Sequence, residues 1–178
     1  MTTSQPILGA IMAGGAASRF GSDKALALFE GRPLIDHVAQ ALADQAAAVI
    51  VVGRTHGTLT SVADRPAPGI GPLGALAGAL AWARNHGFAA VLSAPCDVPL
   101  LPADLARRLA GEGPAYVEGL PVVGHWPSSL ADHLQDWLAA DQPRAVRRWA
   151  AAVGARAVTL DHLPTNVNTR ADLDTLRR

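Results

Sequence analysis

Apolar residues enter this chain in two rhythms. Ile7–Met12, Ala48–Val52 and Ala89–Ser93 are short, continuous runs rather than apolar–polar alternations. That is the pattern of strands buried on both faces. Between the runs, apolar positions recur at helical spacing. Leu34, Ile35, Val38 and Leu42 share one face of a helix predicted to start at Pro33, and Leu73, Leu76, Ala77 and Leu80 share a face after Pro72. A shorter helix is expected after Pro102, carrying Leu105 and Leu109. Proline suits such starts, because the N–H it lacks has no helical partner there. A further short strand is read around Ser61–Ala63. Strand–helix alternation of this kind predicts an α/β fold of three layers, with helices on both sides of a mostly parallel, Rossmann-like sheet.

The second half is patterned differently. Ala115–Val117 and Leu120–Val123 read as short strands forming an antiparallel element. Ser128–Ala139 and Arg144–Val153 read as helices, and Arg156–Leu160 as a strand. Thr169-Arg170-Ala171-Asp172 has capping-box spacing, so a last helix is expected from Arg170 to the end.

Composition narrows the function classes. A length of 178 residues favours one domain, and 49% apolar content excludes a disordered chain. Fifteen basic and fifteen acidic residues cancel, which removes the global field expected of a nucleic-acid or membrane-surface binder. One cysteine rules out an intrachain disulfide and fits a reducing compartment. No apolar run approaches the roughly 18 residues of a membrane span. Met1 to Pro6 is polar, without the pattern of a leader, so a cytoplasmic protein is expected. The six histidines show no zinc spacing, and Trp82, Trp137 and Trp149 are expected to be packing residues, as is Trp126, for which lining a pocket is the alternative.

The candidate chemistry begins directly after the first apolar run. Gly14 and Gly15 let backbone approach a ligand and present several N–H groups, and Arg19 and Lys24 add two cations. Such a loop suits a polyphosphate. It is neither a P-loop, since Ser22 follows Gly21, nor a nucleophile elbow. Ligands of parallel α/β sheets lie beyond the carboxyl ends of the strands. Two further loops are expected there: Asp64–Pro72 and Ala94–Pro99. Asp97, between Pro95 and Pro99, suits Mg²⁺ held by few protein oxygens plus phosphate oxygens, with a helix cap or surface turn as the alternative. Cys96 reads as a small buried residue rather than a nucleophile. Asp64 has the chemistry to accept two N–H bonds from a guanine edge, and a turn role is its alternative. Gly69, Gly71 and Gly74 spell a dinucleotide fingerprint, but Pro66 and Pro68 stand where its strand is required, and Pro72 removes a donor.

Five motifs in order give the chain a family likeness: Met12-Ala13-Gly14-Gly15…Ser18-Arg19-Phe20-Gly21-Ser22-Asp23-Lys24, Gly31-Arg32-Pro33-Leu34, Gly71-Pro72-Leu73-Gly74-Ala75, Pro95-Cys96-Asp97-Val98-Pro99 and Asn166-Val167-Asn168-Thr169. Together they resemble the molybdenum cofactor guanylyltransferases, within the wider nucleotidyltransferases. Met12 and Phe20 replace the family's Leu and Met, and Gly74-Ala75 inverts its Ala-Gly. Where some members carry a base-reading asparagine, this chain has Val52-Gly53-Arg54, so contact there is expected from backbone.

The resemblance implies a single domain of the nucleotide-diphospho-sugar transferase type, with a nucleotide-binding half (about 1–110) and an acceptor-binding half (about 111–178). It implies that GMP passes from GTP to the terminal phosphate of molybdopterin, with release of pyrophosphate. Met12, Ala13, Gly14, Gly15, Lys24, Asp64 and Asp97 would bind the nucleotide. Arg19, Lys24 and Asp97 would act in catalysis, with Asp97 holding Mg²⁺, and Asn166 and Asn168 would hold the pterin. Cofactor-insertion or acceptor proteins would be partners of a monomeric enzyme. Cytidylyl transfer to the same acceptor, nucleotidyl transfer to another small phosphate, and a non-catalytic nucleotide carrier are the alternatives.

Overall fold

The computed structural model describes residues 6–14 and 23–176. In chain order, β1 (Ile7–Met12) is followed by a 3-10 turn at Lys24–Leu26, β2 (Leu28–Phe29), β3 (Arg32–Pro33), α1 (Leu34–Ala43), β4 (Ala48–Val52) and β5 (Thr60–Val62). Then come α2 (Pro72–Asn85), β6 (Ala90–Pro95), α3 (Leu105–Leu109), β7 (Ala115–Val117) and β8 (Leu120–Pro127). After a 3-10 turn at Ser128–Leu130 follow α4 (Ala131–Ala139), α5 (Val146–Ala152), β9 (Arg156–Val158) and α6 (Arg170–Leu176).

Seven strands form one sheet in the order β5-β4-β1-β6-β8-β7-β9. The first three pairings are parallel. β8 runs antiparallel to both β6 and β7, and β9 pairs parallel with β7. The continuous apolar runs are explained by burial on two sides. On β1, Leu8, Ala10 and Met12 pack with α2, α4 and α5, while Ile11 joins α1 and α3 on the other face. Helices thus cover both faces, as the sequence predicts. α2 is apolar nearly all round because it is buried between the sheet and α4.

The differences from expectation are local. Pro33 is the N-cap of α1 and pairs in a two-stranded β2–β3 hairpin, so the helix starts at Leu34. Ser128–Leu130 is a separate 3-10 turn before α4, and α5 is shorter than Arg144–Val153. β5 lies one residue before its expected place, β6 starts one residue later than expected and ends two later at Pro95, and β9 ends at Val158. β8 extends to Pro127, beyond the expected Val123. That extension seats Trp126 in the core, where its indole N–H donates to Ser93 Oγ at 3.0 Å. The Ser93 hydroxyl donates in turn to the Val122 carbonyl at 2.7 Å. A satellite cluster of Phe29, Leu34, Val167 and Leu173 ties the hairpin and α1 to α6. No helix among the described residues is long and apolar enough to cross a membrane.

Candidate active site at the carboxyl ends of the parallel strands

The sheet order reverses at β1. The chain leaves β1 toward β4 and β5, then returns past β1 to β6. α1 and α2 accordingly cover opposite faces, and a crevice opens where the two crossovers diverge. Four strand ends meet there, each continued by a residue the strand itself delivers. β1 leads to Ala13 and Gly14, β4 to Gly53 and Arg54, β5 to Asp64, and β6 to Cys96 and Asp97. The crevice holds a cavity of about 320 Å³, also lined by Met12, Asp23, Lys24, Gly71, Pro72, Ala75, Leu120, Val122 and Asn166.

Its backbone wall is tightly packed. A Cβ on Gly53, where φ is +84°, would lie 2.6 Å from the Gly14 Cα. Only glycine tolerates both that conformation and that approach. The Asp64 carboxylate sits against this wall, within 3.4 Å of where a Gly14 Cβ would stand. Burial raises the Asp64 pKa above the usual 3.8, partly offset by a hydrogen bond from the Gly69 backbone.

Lys24 is the single lysine of the sequence; every other member of its fifteen Lys and Arg residues is an arginine. Its ammonium group pairs with Asp97 Oδ2 at 2.5 Å and donates to Asn168 Oδ1 at 2.8 Å. The Asp97 carbonyl accepts from the Val167 N–H at 2.8 Å, so the Asn166–Asn168 segment is stitched to the β6 loop. Burial, and then the Asp97 charge, push the Cys96 thiol up to about 12. It therefore stays a neutral thiol near pH 7, as expected of a packing cysteine.

Among the described residues, buried polar atoms without a partner gather here. Arg54 Nε, Asp64 Oδ1, Asp97 Oδ1 and Asn166 Oδ1 all belong to residues lining this cavity. Unpaired buried polar groups are costly, and a ligand that completes them recovers that cost on binding. No group of three acidic, histidine or cysteine ligands exists among the described residues. One carboxylate with a free buried oxygen still fits Mg²⁺, which binds through one or two carboxylates when substrate phosphates supply further oxygens.

Of the residues singled out from sequence, Met12, Ala13, Gly14, Lys24, Asp64, Asp97 and Asn166 converge on the one cavity, and Asn168 is tied to it through Lys24. Gly15 and Arg19 lie outside the described residues. The dinucleotide reading fails structurally, because β5 ends at Val62, well short of Gly69. Where backbone contact is expected at residues 52–54, the structure adds a side chain. The Arg54 side chain lines the cavity and grips Asp23 through Nη1 at 2.8 Å and Nη2 at 2.6 Å. Sequence reasoning missed both partners, because nothing local joins residues 31 positions apart.

Comparison with known proteins points the same way. The model of the MobA-like NTP transferase domain matches residues 9–160. The molybdenum cofactor guanylyltransferase of Acidiphilium cryptum is 35% identical, over 92% of this chain and 90% of its own length. That of Rhodobacter capsulatus is 36% identical, over 94% and 93%. The crystal structure of molybdopterin-guanine dinucleotide biosynthesis protein A from Archaeoglobus fulgidus superposes with a TM-score of 0.76 at 18% identity, covering 94% of this chain and 95% of that one. At that identity the last likeness is one of fold.

Proposed function

Because this chain belongs to the family of MobA-like NTP transferase domains, we propose that it transfers GMP from GTP to the terminal phosphate of molybdopterin, releasing pyrophosphate. The observation that carries this reading is the meeting of Lys24, Asp97 and the partly unsatisfied Asp64 in one cavity, in a chain resembling guanylyltransferases along most of its length. Asp64, at the wall made by Gly14 and Gly53, accepts from the guanine edge. Lys24, with Arg19 beside it in sequence, neutralises the β- and γ-phosphates. Asn166 and Asn168 hold the pterin. The acceptor phosphate oxygen bonds to the α-phosphorus as the bond to the bridging oxygen breaks, and pyrophosphate leaves with the electron pair. No protein base is needed, since the attacking phosphate is already ionised. Catalysis is then positioning and charge stabilisation.

Mg²⁺, held by Asp97 together with phosphate oxygens, would supply charge neutralisation at the reacting phosphates. Lys24 occupies Asp97 Oδ2 in the free protein and moves to the phosphates when nucleotide enters. Proteins that receive the finished cofactor are partners under this reading, and the enzyme acts as a cytoplasmic monomer.

The test is pyrophosphate release with GTP, Mg²⁺ and molybdopterin, run against CTP, ATP and UTP. GTP is expected to be preferred, and preference for CTP overturns the guanylyl assignment. Asp97→Ala and Lys24→Ala should each slow turnover by roughly 10²-fold or more, the magnitude typical of a lost electrostatic stabiliser. Near-normal turnover in Asp97→Ala removes it from the reaction.

A further inference from the structure

Lys24 stands on a single 3-10 turn, a weak scaffold for the one lysine in the chain. Asp23 ties that turn down twice. Its Oδ1 accepts the Ala25 N–H at 3.1 Å as a cap, and both its oxygens take the two terminal nitrogens of Arg54. Arg54 is itself firmly placed. It follows Gly53, whose N–H bonds to the Val62 carbonyl at 2.9 Å, and its own carbonyl accepts the Ser61 hydroxyl at 2.8 Å. The Asp23–Arg54 pair thus connects the lysine-bearing turn to the rigid ends of two parallel strands.

We propose that Arg54 is a positioning residue for Lys24, acting through its two-pronged grip on Asp23. This rests on the reading that Lys24 meets the nucleotide phosphates. Two parallel N–H···O bonds fix direction as well as distance, which a lysine ammonium does not do. The Asp23 side chain is 44% exposed and that of Arg54 22%, so the pair is open to solvent on its Asp23 side, and such ion pairs add little stability. The grip therefore contributes geometry, and variants that break it should still fold.

A lysine aimed at phosphates that leave as pyrophosphate matters most as charge builds on the leaving group. Its misplacement should appear in kcat rather than in the acceptor KM. Arg54→Gln and Asp23→Asn, the latter keeping an oxygen for the cap, are each expected to lower kcat about tenfold, within the range for a displaced catalytic group. The double variant should be no slower than either single one, because both break the same link. Arg54→Lys should remain as slow as Arg54→Gln. Full rescue by lysine would mean that charge alone matters and would overturn the grip, as would additive losses or an unchanged kcat.

A second readout needs no turnover. Lysine labelled at Cε gives one protein side-chain signal, that of Lys24. In the free protein, Arg54→Gln and Asp23→Asn should shift or broaden it while the thermal midpoint stays near that of the parent. An unmoved signal overturns the proposal even if the parent is active. A parent that transfers no nucleotide sinks the proposed reaction instead, and the lysine signal still judges the Arg54 link.

Discussion

His125 stands on β8 with its Nδ1 buried and unpartnered among the described residues. Burial first, then the nearby Arg156 charge, lower its pKa below the usual 6.5. The unfolded chain therefore takes up a proton that the folded protein refuses. This contribution to stability is full above about pH 6.5 and is lost as pH falls through the lowered folded pKa. The depressed carboxylates Asp23, Asp104 and Asp172 start from 3.8 and act in a more acidic range. Asp64, whose pKa is raised, has the opposite sign: its stabilising share is full below 3.8 and fades as pH rises through its folded pKa. The thermal midpoint should therefore fall between about pH 7 and pH 5, and His125→Gln should flatten that slope. An equal slope in the variant would assign the acid sensitivity elsewhere.

Among the elements, α2 bears on the site through its small residues. A Cβ on Gly78 would sit 2.2 Å from the Ala63 carbonyl oxygen, so the loop that presents Asp64 rests directly on the helix. The obstacle is backbone, which cannot swing aside as a side chain does. Gly78→Ala should cost about 1–3 kcal/mol in denaturant unfolding, as overpacking does, and should weaken GTP binding by displacing Asp64. Unchanged affinity would show that the loop adapts. The long elements were legible in the sequence because burial on both faces leaves unbroken apolar runs at β1, β4 and β6. The β2–β3 hairpin was not, since two-residue strands carry no period. Its turn uses Glu30 and Gly31, both at positive φ, in place of the familiar Asn-Gly signal. Lys24, Asp64 and Asp97 could be picked out because each lies in a distinctive local motif or loop. Arg54 could not, because its role exists only once the sheet brings the end of β4 beside Asp23.

At the scale of the whole molecule, a parallel half supplies the crevice and an antiparallel half closes one side of it through Leu120 and Val122. The remaining wall depends on a different unit. The satellite cluster of Phe29, Leu34, Val167 and Leu173 is separate from the two large cores. It anchors the hairpin that follows Lys24 and, at the same time, the segment carrying Asn166 and Asn168. Small clusters open more readily than central strands. Gentle heating should therefore raise amide exchange around residues 24–34 and 166–176 and abolish turnover while far-ultraviolet dichroism still reports an intact sheet. Simultaneous loss of all three signals would count against a separate unit. Nucleotide that bridges both walls should delay the first event more than the second. Such a protein has two melting temperatures, one for its chemistry and one for its architecture, and the nucleotide supply sets the gap between them.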